Sequence, residues 1–492
     1  PLAMGRLDFE DDRLWSRLLI LGILLNVIVC FTSDLGLDTQ VKMAVDENGT
    51  LPWGDLRPEI AGESDPTDGG QRIVLPLYEM SEFGIKTVAL LTFVGMVACL
   101  YRWSGVRSAA ILSLSPAFIF SVGRGYEEVY LAMFCAAAFI LFTGLLSSKY
   151  RPLQSFLGGL SFMLMPYAKG FTDGFGVLIG ALVLATFSTV WSEISRRGGE
   201  KTKWMSKPHV VGIVVSAVVS MSMVILGILG YNSTLSILAE SPVRYTTAFA
   251  FSILDVIIIF TFFGMALWPF VGSLFRGFSS VEDTKIAMMT GYIVGLMTAI
   301  VFYVAALWTY EASIWGADWP GVIWTMRNNG RYATLLFIPM VLLLQELRQH
   351  IEVPTFDSPL SKAKSMGLVV LLLLPLSLLA SFHGQTMWTD DAASTMELER
   401  GEEFLFVSED TLGMHWLYTF YAPLDAEEKA ITGHWRSIDS NWESDLNSSL
   451  LQVTTLVVSP DVKYTPNGWI VESSGEVDLL NGKGEWRVLT RS

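Results

Sequence analysis

The sequence has little charge for its length and few residues of the kinds that build disulfides or metal centres. Only 16% of its 492 residues are Asp, Glu, Lys or Arg, whereas soluble domains carry about 25%. The three cysteines, Cys30, Cys99 and Cys135, all lie in apolar runs, which favours core positions over a disulfide framework. The histidines lack metal-ligand spacing, so no zinc site is predicted. The net charge of -15 argues against a nucleic acid partner, which would require a basic face.

Apolar residues take the place of the missing charge. They make up 51% of the chain, and the mean hydropathy is +0.45. About eleven runs approach the length that crosses a bilayer. They fall near residues 14–32, 84–101, 108–122, 128–147, 154–168, 173–191, 210–230, 247–272, 286–308, 331–347 and 366–383. The sequence therefore predicts a mainly α-helical, polytopic transmembrane bundle with membrane lipids as partners.

The distribution of basic residues predicts the orientation of the chain in the cell membrane. Lysine and arginine concentrate in alternate short loops, such as 102–107, 149–151 and 196–207. Because such loops remain in the cytoplasm, the N-terminus is expected there. An odd number of spans then places the C-terminus outside. Three glycosylation-type sequons, which begin at Asn48, Asn232 and Asn447, all fall on the predicted outer side.

Two long segments lie on this predicted outer side. Residues 33–83 form a loop of a length that is uncommon unless the loop is functional or disordered. Residues 384–492 are predicted to form a small extracytoplasmic α/β domain, and residues 1–383 the transmembrane catalytic domain. The strands and the helix expected in the smaller domain lie at 404–407, 454–458, 469–471 and 411–421.

Asp34 and Asp38 directly follow the first apolar run, where a short amphipathic helix is predicted. Acids at a membrane boundary are costly to desolvate and mark function or ion pairing. Either carboxylate can take a proton from an acceptor hydroxyl or amine as a bond forms. The structural alternative is that Asp34 caps the helix and Asp38 lies in its first turn, where the helix dipole favours acids.

Three later segments carry charges at the predicted outer ends of spans. Lysine at a membrane surface can hold a lipid phosphate, and the arginine fork matches phosphate oxygens. The alternatives are acids that open a helix and cations that reach toward the membrane surface. Asp255, the one acid deep in an apolar run, is equally consistent with a structural hydrogen bond and with function. The candidates are Arg124, Glu127, Glu128, Lys169, Arg327, Arg331 and Tyr332.

The order and spacing of these segments resemble the GT-C superfamily of membrane glycosyltransferases. The nearest group is that of dolichyl-phosphate-mannose protein mannosyltransferases and lipid A aminoarabinose transferases. Residues 38–49 resemble the acidic helix start of that group, but Thr39 stands where the group usually has Glu, so Asp34 and Asp38 both remain open as the base. The other resembling segments are the arginine before an acid at 123–128, the run ending in Lys-Gly at 159–170 and the Arg-Tyr entry to a late span at 331–339.

The resemblance implies an enzyme, a hexosyltransferase that moves a sugar from a polyprenyl-phosphate donor to a lipid, glycan or protein acceptor. Transfer of mannose in protein glycosylation is an example. Asp38 or Asp34 would activate the acceptor, and the cations Lys169, Arg124 and Arg331 would stabilise the leaving phosphate. A single displacement would invert the anomeric centre. Branches acting on pyrophosphate-linked oligosaccharides use a divalent metal, which Glu128 could support, but the resembled branch does not, so no cofactor is expected.

Three other functions compete with this interpretation. A transporter would carry acids and broken helices at the membrane midplane, whereas most acids here lie at the predicted outer face. A non-catalytic receptor would leave the first loop unconstrained. A lipid-linked glycan ligase or polymerase is the nearest alternative among enzymes.

Overall fold

The structure is a computed structural model, and it describes most of the chain. The described residues are 12–45, 74–230, 233–266, 278–314, 319–323, 331–332, 334–350, 362–382, 386–408, 416–446, 453–477 and 484–492.

Helices fill the first four fifths of the described chain. They are α1 (Asp12–Thr32), α2 (Leu37–Met43), α3 (Glu82–Ser104), α4 (Val106–Ser113), α5 (Pro116–Gly123), α6 (Glu128–Thr143), α7 (Arg151–Ala168), α8 (Gly174–Arg197), α9 (Pro208–Ile228), α10 (Ser233–Glu240), α11 (Pro242–Ala266), α12 (Thr284–Ile314), α13 (Phe337–His350) and α14 (Lys362–Phe382).

The long helices form the apolar bundle of an integral membrane protein. Six helices within the described residues are long and apolar enough to cross a membrane, and a seventh span is obtained if the pair α4 and α5 counts as one. That pair corresponds to the predicted span 108–122, but it is bent by 56°. Pro116 opens α5, and a proline disfavours helical geometry at the residue before it, which accounts for the break. Shorter apolar helices at Thr334–Leu347 and Val370–Phe382 match the last two predicted runs.

The C-terminal part contains a five-stranded sheet, as predicted for a small α/β domain. Its strands are β1 (Glu403–Ser408), β2 (Thr432–Ser437), β3 (Thr455–Val458), β4 (Trp469–Val477) and β5 (Gly484–Arg491), in the order β2-β1-β3-β5-β4. β1 pairs in parallel with β2 and β3, whereas β5 is antiparallel to both β3 and β4. The short helices α15 (Trp388–Thr395), α16 (Ala426–Lys429) and α17 (Trp442–Leu446) accompany the sheet.

The sheet domain packs against α2, directly after the first long helix. Val41 and Ala44 belong to the same buried core as Trp388, Phe404 and Tyr418. The domain therefore lies at the end of the bundle where α1 finishes. This is also the end where the charged segments singled out from the sequence meet.

Candidate functional site

The segment after α1 is fixed to the turn between α5 and α6 by hydrogen bonds. The Ser33 hydroxyl donates to the Gly123 carbonyl at 2.8 Å. The Arg124 carbonyl accepts two bonds, one from the Gly36 N–H and one from the Thr39 hydroxyl, both at 3.0 Å. These contacts place the first turn of α2 beside the start of α6.

The turn itself brings two acids to the beginning of α6. Gly125 has a φ of +67°, a conformation that is costly for residues with a Cβ. Glu127 and Glu128 follow, and both are buried, with 4% and 3% of their surface exposed. The helix N-terminus favours negative charge there, but burial also requires cationic partners.

Lys169 supplies one of those cations. It follows the last residue of α7, and the chain then turns at Gly170, which has a φ of +71°. The Lys169 ammonium contacts Glu127, lies 3.3 Å from Glu128 and donates to the Tyr332 hydroxyl at 3.1 Å. Burial is the largest single influence and would lower the pKa of Lys169, but Glu128, Tyr332 and Tyr303 together outweigh it, so the pKa is raised. All three N–H donors of this lysine thus have a partner within the protein.

Arg331 links the buried acids to Asp38. Its Nη2 atom lies 3.4 Å from a carboxylate oxygen of Asp38 and 3.7 Å from one of Glu128. The guanidinium lies over the Tyr126 ring, 4.8 Å from the centroid. Its Nε atom is buried and has no hydrogen-bond partner. Asp38, in contrast, has 52% of its side chain exposed.

Lys42 is a third cation at this site, and it was not among the residues predicted from the sequence. It lies one turn after Asp38 on α2, and its ammonium contacts the second carboxylate oxygen of Glu127. It also lies 5.3 Å from the centre of the Tyr78 ring. The signal in the sequence was the spacing of four residues between Asp38 and Lys42, which places both on one helix face.

Asp34 occupies a different environment from Asp38. Its carboxylate accepts the backbone N–H of Met387 at 2.6 Å, which ties the end of α1 to the sheet domain. Burial raises the pKa of Asp34, partly offset by that hydrogen bond. The predicted capping role is not observed, because the residue before α2 is Gly36 and no side chain caps the helix. The alternative placement of Asp38 in the first turn of α2 agrees with the structure.

The remaining candidates fall in separate places. The Arg124 guanidinium lies over the Phe120 ring, 4.0 Å from its centroid, and burial lowers the pKa of Arg124 to about 10. Tyr332 accepts from Lys169 and meets the Tyr303 ring edge-on at 5.2 Å. Arg327 lies outside the described residues.

Glu311, in the last turn of α12, is a further acid near Asp38 that sequence reasoning missed. It is 8% exposed, and one of its carboxylate oxygens is buried without a hydrogen-bond partner. The negative charge of Asp38 acts on it. The sequence signal was an acid at the end of a long apolar run, a position where acids indicate function or ion pairing.

The cluster defined by Asp38, Lys42, Glu127, Glu128, Lys169 and Arg331 is called the charged cluster below. Three cations and three carboxylates are interleaved in it, and Asp38 is the carboxylate held most loosely. Such a site can bind an anion in exchange for Asp38 on Arg331 while Asp38 takes a proton. Within the described ranges, no three His, Cys, Asp or Glu side chains are grouped to hold a metal ion.

Comparisons with known proteins give one structural likeness. No family model matches the chain, and the search of curated proteins found no match. Among solved structures, the chain is similar to the crystal structure of ArnT from Cupriavidus metallidurans bound to undecaprenyl phosphate. The TM-score is 0.35 and the identity 13%, over 96% of this chain and 97% of that chain. A likeness at this level does not assign a function, so the assignment must rest on the geometry of the charged cluster.

Proposed function

We propose that the protein is a membrane glycosyltransferase of the GT-C type, which transfers a sugar from a polyprenyl-phosphate donor to an acceptor at the extracytoplasmic face. The observation that carries this proposal is the contact between Arg331 and Asp38 at the end of an apolar bundle. Arg331 is a partly buried arginine, with 16% of its side chain exposed and a buried, unpartnered Nε–H. Asp38 is a half-exposed carboxylate 3.4 Å away.

Arg331 is the best-placed group for the donor phosphate. Its fork presents parallel N–H donors that match two phosphate oxygens, and Nε–H is one of them. Lys169 has already committed its donors to Glu127, Glu128 and Tyr332. Lys169 therefore acts as a fixed positive charge near the leaving group rather than as a direct ligand.

The reaction follows from these positions. The acceptor oxygen or nitrogen attacks the anomeric carbon and forms the new glycosidic bond, while the bond from that carbon to the phosphate oxygen breaks. The electron pair of that bond leaves with the lipid phosphate, whose charge Arg331 stabilises. The acceptor proton passes to the Asp38 carboxylate. A single displacement of this kind inverts the anomeric centre.

The position of the charged cluster supports an enzyme over a transporter. A transporter binds its substrate near the membrane midplane, at broken helices. The charged cluster instead lies where helices begin or end, at Lys169 after α7, Glu128 at the start of α6 and Asp38 at the start of α2. A glycan ligase or polymerase would use the same two groups, and the acceptor distinguishes it from a protein mannosyltransferase.

The test is sugar transfer by the purified protein in liposomes. Polyprenyl-phosphate-linked radiolabelled mannose or glucose serves as donor, with an alkyl glycoside, a serine- and threonine-rich peptide and a membrane lipid extract as acceptors. Asp38→Asn is expected to lower turnover by roughly 10²–10⁴-fold with donor binding preserved. Arg331→Gln is expected to weaken donor binding at least about tenfold, the loss of one charge-assisted hydrogen bond.

Two matched variants make the result specific. Asp34→Asn keeps an oxygen that can accept the Met387 N–H, so it should turn over near the wild-type rate. Asp173 caps α8 by accepting the Gly176 N–H, and Asn is an equally good cap, so Asp173→Asn should be silent. Wild-type turnover in Asp38→Asn would refute the assignment of the base. No transfer by the wild type with any donor would refute the glycosyltransferase.

A further inference from the structure

Glu311 is an acidic residue that does not belong to the charged cluster. It is 8% exposed, and its Oε2 atom is buried without a hydrogen-bond partner. A polar atom buried in this way lowers the stability of the folded protein. Costs of this kind persist at positions where a ligand completes the hydrogen bonding.

The end of α12 meets the core to which α2 contributes. Tyr310, next to Glu311, packs on the core that contains Val41 of α2 and Ala44, the residue after α2. Two turns earlier, Tyr303 contacts the Tyr332 ring. Helix α12 therefore passes the buried part of the charged cluster at Tyr303 and reaches the level of Asp38 at its last turn.

Glu311 is close enough to Asp38 for the Asp38 charge to act on it. Among the described charges, Asp38 is the one that acts on Glu311, whereas Arg331 and Lys169 act on Glu128. Asp38 thus has a cation suited to phosphate, Arg331, at 3.4 Å and a second carboxyl group, Glu311, in its neighbourhood. Arg331 accounts for the donor phosphate, so the unpartnered Glu311 carboxyl oxygen is available to the other substrate.

We propose that Glu311 binds the acceptor, by accepting a hydrogen bond from an O–H or N–H group next to the nucleophile. This inference rests on the proposed glycosyl transfer. Asp38 and Glu311 together form the acceptor site: Asp38 takes the proton of the nucleophile, and Glu311 orients the group beside it. Acceptors rich in hydrogen-bond donors, such as a glycan or a hydroxyl-bearing peptide, match this pair.

The test is the acceptor and donor KM of two variants in the liposome assay described above. Glu311→Gln keeps an acceptor oxygen and should stay within about threefold of the wild type. Glu311→Leu has no acceptor atom, so its acceptor KM should rise at least about tenfold, the value of one buried hydrogen bond, while the donor KM stays unchanged. The alkyl glycoside and the peptide are assayed separately to show whether a glycan or a peptide supplies the O–H or N–H group that Glu311 binds.

Thermal unfolding of the substrate-free protein gives a second measurement. Glu311→Leu removes an unpartnered polar group, so its Tm should equal or exceed that of the wild type, whereas a purely structural role predicts a lower Tm. A loss of kcat in Glu311→Gln as large as that in Asp38→Asn would overturn the inference, as would an unchanged acceptor KM in Glu311→Leu. If the wild type itself transfers no sugar, the proposed function fails and this inference with it, so the two failures are distinguishable.

Discussion

Lys169 and the two glutamates it contacts show how strongly each charge here depends on its neighbours. Burying a lone charge is far more costly than burying a hydrogen-bonded pair. Glu127 and Glu128 are almost completely buried, and Lys169 contacts both. The role expected of Lys169 from the sequence was phosphate binding, but its observed contacts favour a role in neutralising these acids.

Lys169→Ala is therefore expected to destabilise the protein. Removal of one partner leaves buried carboxylates uncompensated, at a cost of about 3–5 kcal/mol. Thermal unfolding in detergent, followed by tryptophan fluorescence, measures the effect. Adding Glu128→Gln to Lys169→Ala should restore part of the loss.

The control for Lys169 is an exposed ion pair. Arg196 lies 3.1 Å from Glu193, and its side chain is 58% exposed. Pairs of this kind contribute about 0–1 kcal/mol, so Arg196→Ala should leave the Tm nearly unchanged. Equal unfolding temperatures of Lys169→Ala and the wild type would contradict the neutralising role.

Among the residues of the charged cluster, some could be predicted from the sequence and others could not. Asp38, Glu128, Lys169 and Arg331 stand beside apolar runs, where a charge is conspicuous. Lys42 was not predicted because its partner, Glu127, is 85 positions away, and no local sequence pattern indicates an ion pair between them. The different environments of Asp34 and Asp38 also depend on a distant group, the Met387 N–H. The sequence alone therefore does not show which of the two is the base.

The predicted strands agree with the structure where the sequence is strictly apolar, whereas strands that contain polar residues were not predicted. β1, β3 and β4 lie where strands were expected. β2 was missed because Thr432–Ser437 mixes Gly, His and Arg, and its burial arises from pairing in parallel with β1. β5 was missed because Gly484–Arg491 has charged residues at alternate positions and finds its place between β3 and β4.

The close packing of α7 on α8 leads to a prediction for a substitution at Gly159. Gly159 lies so close to α8 that a Cβ there would be 2.6 Å from the Ala181 carbonyl oxygen. Small residues allow such close approach of membrane helices. Gly159→Ala should push the helices apart and destabilise the protein by about 1–3 kcal/mol, as expected for overpacking.

Gly95 provides the matched control for Gly159. It also lies within a long helix, α3, but a Cβ there would meet nothing within 4 Å. Gly95→Ala should be neutral or slightly stabilising, because alanine favours helix more than glycine by about 1 kcal/mol. Thermal unfolding of the two variants side by side tests the packing, and equal behaviour would argue against it.

Several acids cluster near Asp34, where the end of α1 meets the sheet domain. Asp390 is close to Asp34, Glu82 and Asp391, with Lys86 as the nearby cation. Burial, followed by the charge of Asp34, raises the pKa of Asp390 to about 8. Its unfolded value is about 3.9, so between these values the folded protein holds a proton that the unfolded chain has lost.

The stability of the protein should therefore fall as the pH rises from about 4 to 8. Asp390→Asn removes this titration, and its unfolding free energy should exceed that of the wild type at pH 8 by at least the roughly 1.4 kcal/mol of one pKa unit. At about pH 4, close to the unfolded pKa, the difference should be small. Asp439→Asn, at an exposed turn of the sheet domain, should leave the pH dependence unchanged, and an unchanged slope in Asp390→Asn would refute the assignment.

The orientation in the membrane is also a property of the whole molecule. The basic loops predict a cytoplasmic N-terminus and an extracytoplasmic sheet domain. In a variant with Cys99 replaced by Ser, which keeps the buried Cys30 and Cys135, one cysteine is introduced at Asn441 or at Lys203, and intact cells are treated with a membrane-impermeant maleimide. Label is expected at 441 and absent at 203, and the reverse pattern would invert the topology.

Helix α2 has only seven residues, and a helix so short has little stability of its own. One face carries Asp38 and Lys42, and Val41 contributes to the core of the sheet domain. Any donor that orders this helix must, by thermodynamic reciprocity, tighten the docking of the sheet domain by the same free energy. On the proposed function, the C-terminal domain is therefore part of the donor-binding equilibrium, although none of its described residues belongs to the charged cluster.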